Sequence, residues 1–227
     1  IFYASWVTIL IAVPFLAYHL YVNRYYFLSV DACVKALSSK DEKTRKKAKE
    51  SLVYKGEKDI EKGHLAVVTA LLKAIHDRDF VRDFWTADVR RMSLLSLFEM
   101  GYPQTEKTAL DVLERDPLPV VRATAIDILS RMNVLEADRL KKLLSPKRPF
   151  SFSQVEELKS AIFAARRFRG FSKSSGNGNK AIRDNRDIAA ALWKLAEHGV
   201  HDHYRDSRVG LAVEALQSLD NMGGMNG

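Results

Sequence analysis

Cysteine is nearly absent from this chain. Cys33 is the only one in 227 residues, so no intrachain disulfide can form, and zinc sites built on cysteine pairs are excluded. Sustained period-two alternation of apolar and polar residues is also missing, which predicts almost no β-strand. The usual chemistry-bearing motifs are lacking too: there is no G-x-S-x-G, no P-loop, no G-x-G-x-x-G and no H-E-x-x-H. Gly176-Asn177-Gly178-Asn179 has no preceding strand, so it reads as linker rather than as a phosphate cradle.

The longest stretch without charge opens the sequence. Ile1 to Val22 contains no Asp, Glu, Lys or Arg. A helix of that length rises roughly 33 Å, against a hydrocarbon core of about 30 Å. Tyr3 and Trp6 lie toward one end, and Tyr18, Tyr21, Tyr25 and Tyr26 toward the other, with Arg24 at the wet edge. Residues 1–27 are therefore expected to form a single-pass transmembrane anchor. A signal peptide or a buried core helix are the competing readings. The lysines that follow would place the rest of the chain on the cytoplasmic, matrix or stromal side. Cys33, close behind, suits lipidation or a small buried hydrophobe.

What the chain does have is a repeated frame. Residues 116–133 read DPLPVVRATAIDILSRMN. Counting from the residue before the arginine, position 0 is Thr44, Val89 or Val121, and position +1 is Arg45, Arg90 or Arg122. Position +4 is Ala48, Ser93 or Ala125. Position +8 is Leu52, Leu97 or Leu129. Position +12, where a helix should stop, is Gly56, Gly101 or Asn133. A recurring helical unit that cannot bury its own apolar face implies a stacked array.

These residues resemble HEAT repeats, above all the bacterial HEAT-like type with D-P-x-P-x-V-R leading into its second helix. The resemblance implies an all-α solenoid and an interaction scaffold, with no catalytic residue. In that family the arginine usually joins an Asp–Arg ladder between neighbouring repeats. Here Asp41, Asp88 and Asp116 stand at different distances from Arg45, Arg90 and Arg122, a departure from a regular ladder.

Five helical pairs are expected over 28–220. They are about 30–39 with 41–55, 64–77 with 86–100, 104–115 with 119–132, 135–144 with 152–168, and 185–198 with 205–220. The fourth pair's second helix lacks the signature. The Gly/Ser/Asn-rich stretch 172–180 reads as a flexible loop and 221–227 as a flexible tail. Trp85, Trp193, Phe84 and Phe98 fall on apolar helical faces and are expected in the core.

Charge clusters in two places. Residues 35–58 hold nine Lys/Arg against four Asp/Glu, and residues 139–173 hold ten against two. Lys43, Arg45, Lys46, Lys47 and Lys49 in the first cluster, and Arg166, Arg167 and Arg169 in the second, are candidate contacts for partners or anionic lipid headgroups. Phe168 and Phe171 interleave the second set, which could serve nucleic acid, but that partner is not expected. His198, His201 and His203 stand near Asp202 and Asp206 and could ligate a metal. The spacing is not a zinc signature, and a polar loop is the preferred reading.

The sequence thus points to a non-catalytic accessory or scaffold subunit of a larger membrane protein complex. It would bind partner subunits through its helical-repeat surface, with no cofactor. A membrane-tethered regulatory adaptor that recruits a soluble partner transiently is the alternative. An enzyme or metal protein centred on the three histidines ranks third.

Overall fold

The computed structural model describes residues 13–14, 24–77, 84–145, 155–167 and 186–195. All regular structure among them is helical. The helices are α1 (Arg24–Phe27), α2 (Val30–Ala36), α3 (Glu42–Glu61), α4 (Ala66–His76), α5 (Phe84–Glu99), α6 (Thr105–Arg115), α7 (Pro119–Arg131), α8 (Ala137–Leu144), α9 (Val155–Arg167) and α10 (186–195). They form two compact units, divided after Tyr102.

In the first unit α2 packs on α3 and α4 packs on α5. The first helices of these pairs also touch each other, as do the second helices. That is the neighbour pattern of stacked helical hairpins. Local chemistry sets the starts. Ser29 caps α2 by accepting from the Ala32 amide, and Asp41 caps α3 by accepting from the Lys43 and Thr44 amides. The second unit pairs α6 with α7 and α8 with α9, and α7 packs extensively on α9. Pro119 opens α7 at its first helical position, where a missing N–H costs nothing.

The +8 leucines sit in these cores. Leu52, Leu97 and Leu129 are each 0 % exposed, as are Ala48, Ser93 and Ala125 at +4. Truncating such a leucine to alanine typically costs about 2–5 kcal/mol. Helix ends agree with the frame at two of three places. Gly101 and Asn133 both follow their helices in the left-handed region, at φ 68° and 56°.

At Gly56 the expected stop does not occur. α3 runs on to Glu61, and Gly63 (φ 71°) follows it. Gly56 is buried inside the helix, and its lack of a side chain makes room for Met100.

The membrane anchor is also corrected. Among the described residues no helix is long and apolar enough to cross a membrane. The one helix of twenty residues, α3, is rich in charge along its whole length. Tyr25, expected at a membrane–water interface, is instead 7 % exposed inside the first unit. Its hydroxyl donates to Thr44 Oγ1 (3.2 Å), and its carbonyl accepts from Ser51 Oγ (2.7 Å). The end of the supposed anchor therefore belongs to the helical domain. The rest of 1–22, apart from Val13 and Pro14, lies outside the described residues, as do 172–180, 205–220 and 221–227.

Candidate functional site

Arg45 and Arg122 do the same two things. Each is the fourth residue of its helix. Each turns Nη1 back to a carbonyl six residues earlier: Ser39 O at 2.8 Å for Arg45, and Asp116 O at 2.7 Å for Arg122. Each also meets a carboxylate on the second helix of the next pair. Arg45 Nε lies 3.6 Å from Asp88 Oδ2 on α5. Arg122 grips Glu157 on α9 with both prongs, Nε to Oε1 at 3.1 Å and Nη2 to Oε2 at 2.6 Å. A planar guanidinium suits this joint work, because its fixed fork can serve a loop carbonyl and a carboxylate at once.

The acid therefore comes from the following pair, not from the arginine's own. At Arg45 this is the contact between neighbouring repeats that the resemblance implies, made by one of the three expected acids, Asp88; at Arg122 the acid is a glutamate. Glu157 was missed altogether, because α9 lacks the arginine signature. The signal that could have found it is an acid early in the next second helix, where both Asp88 and Glu157 stand.

Arg90 differs. It is the seventh residue of α5, so the residue six before it is Phe84, already inside the helix. That carbonyl lies on the helix's own hydrogen-bond ladder rather than in a loop. The Arg90 side chain is 4 % exposed and lines a cleft. The cleft lies between α2, α4 and α5 and has a volume of about 450 Å³. Val34, Ala70, Ala74 and Val89 form its apolar surface. Asp31, Lys35, Lys73, Asp77 and Arg90 supply its charges.

The expected basic contacts divide. Arg45 holds the stack, and Lys49 Nζ is fixed by Glu99 Oε1 at 2.6 Å. Lys43, Lys46 and Lys47 are exposed. Beyond them, Tyr54 on α3 is 45 % exposed and Tyr26 on α1 is 42 % exposed. Their rings meet edge to face at 5.5 Å, and Lys58 Nζ lies 4.3 Å from the Tyr54 ring centre. In the second unit Arg167 pairs with Asp127 at 3.0 Å, beside Arg131, which meets the same carboxylate at 2.9 Å. Lys141 joins α8 to α10 through Asp187 at 2.7 Å, and that hydrogen bond raises the lysine pKa. Arg166 belongs to α9, while Arg169, His198, His201 and His203 lie outside the described residues.

Cys33 is 0 % exposed, with its thiol against Tyr25 O and Ser51 Oγ, which fits the buried-hydrophobe reading. Trp193 is not core: it is 55 % exposed on α10. Phe163 on α9 is 48 % exposed. No family model, curated protein or solved structure matches the chain.

Proposed function

We propose that this chain is a non-catalytic accessory or scaffold subunit that holds partner proteins against stacked helical pairs. The observation that supports this most is the shared geometry of Arg45 and Arg122. One arginine position joins its own loop to the second helix of the next pair, twice. Such joints make neighbouring pairs rigid, and rigid stacked helices present extended surfaces to partners. The exposed Tyr26–Tyr54–Lys58 group, Phe163 and Trp193 supply the aromatic anchors that binding surfaces favour. The HEAT-like frame points the same way. No spanning helix enters this reading.

The test is native electrophoresis of gently extracted source material, with mass spectrometry of the band that contains this chain. The reading expects a large assembly at fixed stoichiometry. Migration alone, near its own mass, would overturn it and favour a transient adaptor working through the exposed lysines.

A further inference from the structure

We propose that Arg131 and Arg167, with Phe163 beside them, receive a single carboxylate of a partner protein, an Asp or Glu next to an apolar residue. The proposal rests on the scaffold reading and names the chemistry of one of its surfaces. The site lies on the two second helices of the second unit, α7 and α9, which pack extensively on each other. They run in the same direction: Arg122 meets Glu157 near their starts, and Asp127 meets Arg167 further along. Their outer residues therefore form one surface two helices wide. On α7 it carries Asp127 and Arg131, one turn apart, and on α9 it carries Phe163 and Arg167, also one turn apart.

Asp127 is shared by two cations. Its Oδ2 takes Arg131 Nη2 at 2.9 Å, and its Oδ1 takes Arg167 Nη1 at 3.0 Å. Two guanidinium charges thus stand one carboxylate's width apart, and Asp127 offsets one of them. Arg122 and Glu157, on the same two helices, are matched one to one and largely buried, with no charge left to offer. Arg131 and Arg167 have side chains 47 % exposed, and each guanidinium carries five N–H donors with one nitrogen turned to Asp127. Further back on α9, Lys159 and Glu156 neutralise each other at 3.3 Å, two turns or more before Arg167. Exposed ion pairs add little to stability, so a second arginine on one acid is weakly explained by holding the helices. Arg131 also stands in the last turn of α7, where any cation suits the helix end. A lysine would serve that role equally.

The excess charge selects the visitor. A carboxylate bridging the outer sides of the two forks completes an alternating ring of two arginines and two acids with no net charge. Planar guanidinium forks favour such bridging. A phosphate dianion would leave the ring negative beside Asp127, and a polyanion such as nucleic acid would add more of the same sign. That is selection by repulsion as well as attraction. Phe163, 48 % exposed, offers apolar contact next to the acid. Arginine and aromatic side chains together are what protein-binding surfaces concentrate.

The experiment pans a display library of random dodecapeptides on the full chain and, in parallel, on an Arg131→Gln, Arg167→Gln double variant. Synthetic peptides that need the arginines are then measured by fluorescence anisotropy. They are expected to carry Asp or Glu next to an apolar residue. Replacing that acid by its amide, or either arginine by glutamine, should weaken binding about tenfold or more. Phe163→Ala should weaken it about threefold or more. Arg131→Lys keeps the charge at the helix end but loses the fork, and should weaken binding about fivefold. Arg115→Gln, at an arginine matched one to one with Asp111, should leave binding unchanged. All four positions are exposed, so every variant should keep the wild-type melting curve. Four results would each overturn the proposal: no peptide that needs the arginines, such peptides without an acid, full binding by Arg131→Lys, or phosphoserine in place of the acid binding about tenfold more tightly. The two readings fail separately. A chain that migrates alone yet binds acidic peptides through Arg131 and Arg167 removes the scaffold reading only. A chain held in a complex, with no peptide that needs these arginines, removes the carboxylate site only.

Discussion

Met100 Cε and Sδ lie 2.6 and 2.7 Å from where a Cβ on Gly56 would stand, with Val67 Cγ1 at 3.4 Å. The glycine is a gap that the methionine of the next pair fills. Alanine there would gain about 1 kcal/mol in helix propensity, and the flexible methionine tip can swing aside. Gly56→Ala should therefore change stability by no more than about 1 kcal/mol. Gly56→Val overpacks the same place and should destabilise by about 1–3 kcal/mol. Adding Met100→Ala to Gly56→Val should cost less than the two single changes summed, in chemical denaturation. Strict additivity would show that the two side chains do not compete for this space.

Gly101 and Asn133 close their helices with positive φ, at 68° and 56°. Gly101→Ala should lower stability by about 1 kcal/mol, since a Cβ strains that backbone whatever the space around it. Asn133→Gly should be neutral or slightly stabilising, because asparagine already tolerates the left-handed region. Thermal melts of both variants check the contrast. An alanine that leaves the melting temperature unchanged at 101 would contradict it.

The cap on α3 carries a pH signature. The Thr44 hydroxyl, first among the causes, holds the Asp41 carboxyl below its ordinary value, and the Lys43 and Thr44 amides add to it. A depressed folded pKa means the stability is present above the unfolded value, about 3.9. It is lost as pH falls through the folded value. Asp41→Asn, which still accepts at the cap, should flatten that acid-side loss while keeping the helix at pH 7. Melts between about pH 2 and 6 report it, and an unchanged slope in the variant would remove Asp41 as the cause.

The basic stretch on α3 should separate by mutation. Lys43→Glu, Lys46→Glu and Lys47→Glu change exposed positions, and each should move stability by about 0.5 kcal/mol or less. Any partner or anionic surface that uses this face should bind them more weakly, most of all at low salt. Arg45→Glu puts a carboxylate against Asp88, which is 5 % exposed, and should destabilise by about 3 kcal/mol or more. Equal melting temperatures across the four variants would mean that Arg45 plays no part in holding the helices.

Much of this architecture was legible in the sequence because it repeats. The leucines at 52, 97 and 129 and the small residues four before them mark buried faces at helical spacing. Helix starts followed from Asp41 and Pro119, whose effects are local. What could not be read depends on contacts between distant segments. Gly56 has the composition of a helix stop, and only the approach of Met100 explains a glycine inside α3. Tyr25 has the composition of a membrane-interface residue, yet Thr44 and Ser51 hold it in the core. Trp193 follows an apolar period but leaves its ring in solvent. The partner of Arg122 was hidden for the same reason: Arg122 and Glu157 are 35 residues apart, and no local pattern joins them. The cleft was invisible because Lys35, Lys73 and Arg90 come from three helices.

The central claim is that the signature arginine fastens one helical pair to the next, and a double-mutant cycle on Arg122 and Glu157 tests it most directly. Their side chains are 19 % and 16 % exposed, and the pair makes two hydrogen bonds. Arg122→Ala and Glu157→Ala should each destabilise the full chain. The coupling energy between them should reach about 1–3 kcal/mol, the range for partly buried hydrogen bonds to charged groups. Losses that simply add, within about 0.3 kcal/mol, would show that the pairs are not fastened there. The rigid-scaffold reading would then lose its main support.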